Sequence, residues 1–305
     1  MNIDVISIVL SHLDIVKYEK VVNFLHDREK KHVLSYWKRF NKYEVKETKK
    51  GKYWYKNGKR HRDGDLPAVE EVNGYKLWYK NGRYHRSGDL PAVQDANGTK
   101  EWWRNGKRHR SGDLPAVEYQ DGSKEWRKNN KLHRSGDLPA LVLANGDKFW
   151  CKDGKPYRDG DLPVIEYADG KKEWYKDDLL HRDGDLPAKE YANGSKEWWK
   201  NGLRHRDGDL PAVVCANGAK GWLKNGERHR DGDLPAVEGY NGGTKGWYKN
   251  GKLHRDGDLP AVEEYNGTKQ WWKNGERHRD GDLPAVVYSN GSKEWWKNGI
   301  KYKPS

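Results

Sequence analysis

Two cysteines, one methionine and three phenylalanines are all that the 305 residues contain of those types. Leu, Ile, Val and Phe together make up about 17% of the chain. Each shortage excludes something. Cys151 and Cys215 sit at non-equivalent places and supply no framework, so a disulfide-stapled secreted scaffold is excluded. No apolar run approaches the roughly 18 residues of a membrane-spanning helix. The first residues also lack a basic segment leading into an apolar stretch and a small-residue cleavage site. A soluble intracellular protein without a transmembrane segment is expected. There is no Gly-rich phosphate loop between a strand and a helix, no Cys-x-x-Cys and no serine elbow. The chain is therefore expected to be no enzyme and to need no cofactor.

Few aliphatics and a net charge of +13 are what a disordered chain would show. The 16 tryptophans and 18 tyrosines argue the other way, because each buries roughly 150–250 Å² when packed. They also recur at fixed register. The leading tryptophans are Trp54, Trp78, Trp102, Trp126, Trp150, Trp174, Trp198, Trp222, Trp247, Trp271 and Trp295, 24 residues apart with one step of 25 where Gly242-Gly243 adds a residue. Asp-Leu-Pro keeps the same period ten times, from Pro67 to Pro284. A fixed period of this length signals a repeat architecture.

Turn chemistry parses each repeat. Pro211–Ala216 reads as a strand, Asn217-Gly218 as a turn, Lys220–Lys224 as a second strand, and Asn225-Gly226 as a turn into a short third strand at 227–230. Asn-Gly favours two-residue type I′ hairpins. The fold expected is an all-β repeat array, an elongated antiparallel β-hairpin meander, with a small α-helical N-terminal cap. Two stacked strands per repeat, at about 4.8 Å each, would advance roughly 10 Å and make a rod of about 100 Å. Residues 1–42 form the expected cap, since apolar residues at three- and four-residue steps from Ile3 to Trp37 draw a helical stripe. Residues 43–305 form the repeats.

The leading Trp is present in every repeat while its neighbours vary, so a stacked ladder on the core face is expected. A Lys two residues before it, and a Lys or Arg two after, are placed for cation–π contact. In the corner word, Arg206 and Asp209 recur in all ten copies and invite a charge-assisted bond within the corner or to the next. Leu210 is expected to plug the corner and Pro211 to start the following strand. Asp207-Gly208-Asp209 looks like a calcium loop, but calcium wants six to eight oxygens. The first Asp becomes Ser87, Ser111 and Ser135, so no metal is expected. The recurring His has no ligand spacing and reads as packing.

The residues after the leading Trp include Tyr79, Trp103, Tyr175, Trp199, Tyr248, Trp272 and Trp296. They are expected on the opposite face as a partly exposed partner-binding stripe, with a second layer of the same chain as the competing reading. The flanking Glu and Gln point to exposure. Charge adds little. Residues 1–50 hold 11 Lys/Arg against 7 Asp/Glu, leaving 48 against 39, or +9, over ten repeats. Spread evenly, that is about one charge each, a dilution that does not favour nucleic acid as partner.

Trp198-Trp199-Lys200-Asn201-Gly202, within a unit of about two dozen residues, resembles MORN repeats, above all the variant with a Trp-Tyr-x-Asn-Gly core in bacterial antitoxin-like proteins. The corner word His-Arg-Asp-Gly-Asp-Leu-Pro-Ala is similar to arrays in proteins of large DNA viruses of amoebae. Some of those begin with an F-box-like segment, and Asp4–Asp14 resembles the first helix of an F-box. The ordinary MORN Tyr-x-Gly signature is absent, so lipid binding does not carry over. The resemblance implies a non-catalytic scaffold for protein–protein interaction or self-association, in a virus particle or in the host cytoplasm. An adaptor recruiting targets to host ubiquitin ligase, and an anion-binding rod for nucleic acid or membrane headgroups, are the alternatives.

Overall fold

In the computed structural model, the described residues are 43–304 together with Lys30, Lys31 and Ser35. The expected N-terminal cap and its F-box-like segment lie outside them, those three apart. Contacts divide the chain into two compact regions, Met1–Lys155 and Pro156–Ser305.

From residue 43 on, both regions are all-β repeat arrays built on one plan. The repeat around Trp198 shows it. Lys189–Glu190 and Lys196–Glu197 form a hairpin, pairing Lys189 with Glu197 and Glu190 with Lys196. Lys196–Glu197 then pairs with Val213–Val214 of the next repeat, so an antiparallel meander takes two strands from each repeat. Trp199–Lys200 and Leu203–Arg204 make a second hairpin that stands apart from this sheet. The expected second strand is therefore cut in two at the leading Trp. Its backbone is the crossing point: Trp198 N–H donates to Ala212 O, and its carbonyl accepts from His205 N–H. The side hairpins contact one another through one backbone bond per step, such as Gly202 N–H to Leu180 O.

The two Asn-Gly turns differ. In the side hairpins both central residues have positive φ, as at Asn201 (50°) and Gly202 (79°), which is the type I′ turn that suits a two-residue loop. In the sheet hairpins only the glycine does, except at Asn241-Gly242, where both do. Gly194 N–H bonds Tyr191 O, and Tyr191 N–H bonds Ser195 O, the pattern of a type I turn closed by a bulge. Asn193 Oδ1 accepts the Ser195 N–H inside that turn. The extra residue near Gly242-Gly243 is absorbed in this same turn as a short 3-10 segment, Tyr240–Gly242.

The core is thin and repeats every 24 residues. Leading tryptophans from Trp54 to Trp271 are 5–9% exposed, and the alanine after each corner proline is at 0% from Ala68 to Ala285, with Val164 in its place once. Contrary to the expectation that Leu210 plugs the corner, Leu210 is 45% exposed and Ala212 is the buried residue. The indole and the side chain lying on it fill the corner, leaving room for a small apolar side chain, Ala or once Val.

Candidate interaction surface

What lies on the indole is the corner arginine, not a strand lysine. Nine arginines, from Arg62 over Trp54 to Arg279 over Trp271, stack their guanidinium planes 3.8–3.9 Å from the ring centre. This is the planar stacking that Arg offers and Lys does not. Arg206 also bonds Asp185 of the preceding repeat through both Nε (2.7 Å) and Nη2 (2.8 Å), and donates Nη1 to Pro211 O in its own corner. Trp198 Nε1 donates to the Asp185 carbonyl. The same fork joins Arg110 to Asp89 and Arg134 to Asp113. The corner pair thus clamps one repeat to the previous one. Asp89, Asp113, Asp185 and Asp209 are each held below the ordinary carboxylate range by that arginine.

The recurring His is a bridge as well as packing. Asn225 N–H of the next repeat donates to His205 Nδ1 (3.0 Å), which places the proton on Nε2, and Nε2 donates to Asp207 Oδ1 at 2.9 Å. The other Asp207 oxygen takes Lys200 Nζ at 2.9 Å, and Lys200 and His205 bring the carboxyl down to about 2. Asp183, Asp256 and Asp280 repeat both bonds, and Asp231 keeps the His bond with Lys224 3.9 Å away. A cleft of ≈ 230 Å³ lies between this corner and the next, lined among others by His205, Asp207, Leu210, Trp222 and Lys224.

At Ser87, Ser111 and Ser135 that carboxylate is missing. His85 Nε2 meets only the Ser87 hydroxyl, at 3.5 Å. His109 Nδ1 is buried without a partner, at the turn where Asn130 stands in place of Gly and its Oδ1 accepts from Arg108 N–H at 2.6 Å. Burial first, then Lys80 and Arg104, push the His85 pKa down; burial, then Arg104 and Lys128, do the same to His109. The charge count agrees. Residues 76–147 carry 14 Lys/Arg against 9 Asp/Glu, whereas residues 172–292 carry 20 against 20. The evenly diluted charge expected from the whole-chain average is thus corrected: among complete repeats it gathers in the three with serine. The three serines are visible in the sequence, where they argue against calcium but do not by themselves reveal the lost His–Lys tie. Among the described residues no group of three or more His, Cys, Asp or Glu side chains stands close enough to hold a metal ion.

The stripe of Tyr79, Trp103, Tyr175, Trp199, Tyr248, Trp272 and Trp296 lies on the side hairpins and is half-buried throughout. Its cover comes from the same chain. Trp103 faces Arg108 across the hairpin, with the guanidinium 5.1 Å from the ring centre, and Trp199 faces Arg204 in the same way. Trp103 and Trp199 donate Nε1 to Glu101 and Glu197. Arg277 stands 5.2 Å from both Trp272 and Trp296, tying adjacent repeats. Tyr79, Tyr84 and Trp103 run on at 4.4 and 4.9 Å between ring centres. The flanking glutamates, taken in sequence as a mark of exposure, are a correction: Glu125, Glu173 and Glu197 are 3–9% exposed. Burial pulls the Glu173 carboxyl up, but Lys171 and Lys189 outweigh it and leave the pKa lowered.

No family model, no curated protein and no solved structure matches the chain. Among the described residues no helix is long and apolar enough to cross a membrane.

Proposed function

We propose that the chain is a non-catalytic repeat scaffold that binds protein, either a partner or a second copy of itself. One observation carries this reading. Arg, the second Asp, Trp and most of the His, the groups an active site would use, are engaged in contacts between or within repeats, while half-buried Trp, Tyr and Arg recur on the side hairpins of each region. Enzymes concentrate their perturbed groups in one cleft; here the same constellation recurs with every corner. Trp, Tyr and Arg are the side chains that dominate protein interfaces. A place in an assembled particle is the setting that the resemblance to viral repeat arrays implies.

The test is to change Trp103, Trp199 and Trp272 together to Ser. Urea unfolding then reports the fold and sedimentation velocity reports self-association. The reading expects a folded variant that has lost a concentration-dependent association only modestly sensitive to salt. Collapse of the fold would make the stripe core, and a steep salt dependence would favour an anion-binding array instead.

A further inference from the structure

The joints at Ser87, Ser111 and Ser135 differ from their sisters by one missing carboxylate, and the sister joints show what fits there. At Asp183, Asp207, Asp256 and Asp280 one oxygen accepts from His Nε2 at 2.9 Å and the other from Lys Nζ at 2.8–3.4 Å. Lys80, Arg104 and Lys128 hold the register of those lysines and are exposed, as are the three serines. A Cβ built on Gly88, Gly112 or Gly136 meets nothing within 4 Å, as at Gly208 and Gly257 of the sister joints, so the serine joints are as open there as those that hold their own aspartate. The neighbouring carboxylates are already engaged: Asp89 on Arg110 and Asp113 on Arg134, while Asp153 sits 3.0 Å from His133 on the Nδ1 side. What remains is a line of histidines and cations in a stretch of net charge +5, 14 Lys/Arg against 9 Asp/Glu.

We propose that these three joints form a lane for an acidic peptide, each joint taking one carboxylate of an extended partner segment where the sister joints carry their own aspartate. This rests on the reading of the chain as a protein-binding scaffold. Spacing specifies the partner further. Two sheet strands per repeat advance about 9.6 Å. A polyproline II segment returns to the same face every third residue, after about 9.3 Å. The matching sequence has an acidic residue at every third position over three turns. A nucleic acid would also bring anions, but single strands bind by stacking bases on aromatic faces. The indoles of this face, Trp78, Trp102 and Trp126, are 6–9% exposed beneath their arginines.

The experiment uses the full chain and a fluorescent peptide with three glutamates at every third position and prolines between, read by anisotropy against the same peptide with glutamines. Binding is expected for the glutamate peptide and not for the glutamine one. The combined variant Ser87→Asp, Ser111→Asp and Ser135→Asp refills each slot with the group the sister joints already tolerate, and should weaken binding about tenfold or more. A second combined variant, Lys80→Gln, Arg104→Gln and Lys128→Gln, should do the same, and circular dichroism confirms that each is folded. Conversely, Asp183→Ser, Asp207→Ser and Asp231→Ser together should raise the number of peptides bound. Equal binding of the glutamine peptide, or binding indifferent to both lane variants, overturns the proposal. A single-stranded oligonucleotide that binds more tightly than the glutamate peptide, with the same sensitivity to the serine changes, overturns it in favour of a phosphate polymer. Association through Trp103, Trp199 and Trp272 is measured separately, so the scaffold reading and the lane fail independently.

Discussion

Residues 76–147 and residues 172–292 are built on the same frame and close their joints differently. In both stretches the corner arginine stacks on the leading Trp and forks onto the aspartate of the preceding corner. In the second stretch a further aspartate ties His and Lys within each joint; in the first a serine stands in its place, and Asp153 approaches His133 from the Nδ1 side instead. The difference shows which part of the joint is structural. The clamp is complete without the first corner residue, so that position is free to set charge. Where it is Asp the array is neutral, 20 Lys/Arg against 20 Asp/Glu, and where it is Ser the array is basic.

The largest effect should come from breaking what the two stretches share. Trp102→Ala and Trp198→Ala each remove a nearly buried indole together with the surface beneath an arginine, and should each cost about 3–5 kcal/mol by urea unfolding. Similar losses in both stretches confirm the common frame. Trp199→Ala should cost much less, because that side chain is half-buried and its slot holds Arg127 or Leu223 in other repeats. Next comes Ala212, with no exposed surface. Ala212→Leu should cost about 1–3 kcal/mol from overpacking, and Ala212→Val less, since Val164 fills the same slot at 3% exposure.

Acid should separate the two stretches. His85 and His109 have lowered pKa values in the folded chain, so the unfolded chain takes up protons first as pH falls through about 6.5. The stability they contribute is present above that pH and is lost below it. Asp183, Asp207, Asp231, Asp256 and Asp280 are also lowered, and their contribution holds until pH falls below about 3.8. Replacing His85 and His109 by Gln should therefore flatten the loss of unfolding stability below about pH 6.5, and replacing Asp207 by Asn should flatten the loss below about pH 3.8. An unchanged pH profile in either variant would contradict the assignment.

The smallest effect should be the conversion of one joint into the other kind. Ser111→Asp should leave thermal unfolding at neutral pH nearly unchanged, since an exposed ion pair adds little. It should still raise the His109 titration midpoint, read from imidazole NMR shifts, by placing a carboxylate beside a ring that burial and two cations now hold down. A midpoint that stays put would mean the slot is not where the sister joints place it.

Period and turn residues made the fold class legible in the sequence. The 24-residue spacing and the paired Gly-containing turns define a hairpin array, and Trp followed at eight residues by Arg was there to be read. Three things were not. The cut at Trp198 depends on its N–H and carbonyl serving different hairpins, which strand alternation does not reveal. Leu210 outside and Ala212 inside reverse the order hydropathy suggests, because the stacked guanidinium takes the space a leucine would fill. The glutamates before the tryptophans look like surface residues until the lysines, arginines and ring N–H groups that bury them are in place.

The claim beneath all of this is that the arginine fork joins repeats independently of the neighbouring Ser or Asp. A double-mutant cycle on Arg110 and Asp89, beside Ser111, and on Arg206 and Asp185, beside Asp207, measures it directly. The account predicts a favourable coupling of about 1 kcal/mol in each pair, equal within error, as expected for a bidentate pair with an exposed carboxylate. A coupling near zero in both, or present in one stretch only, would contradict it.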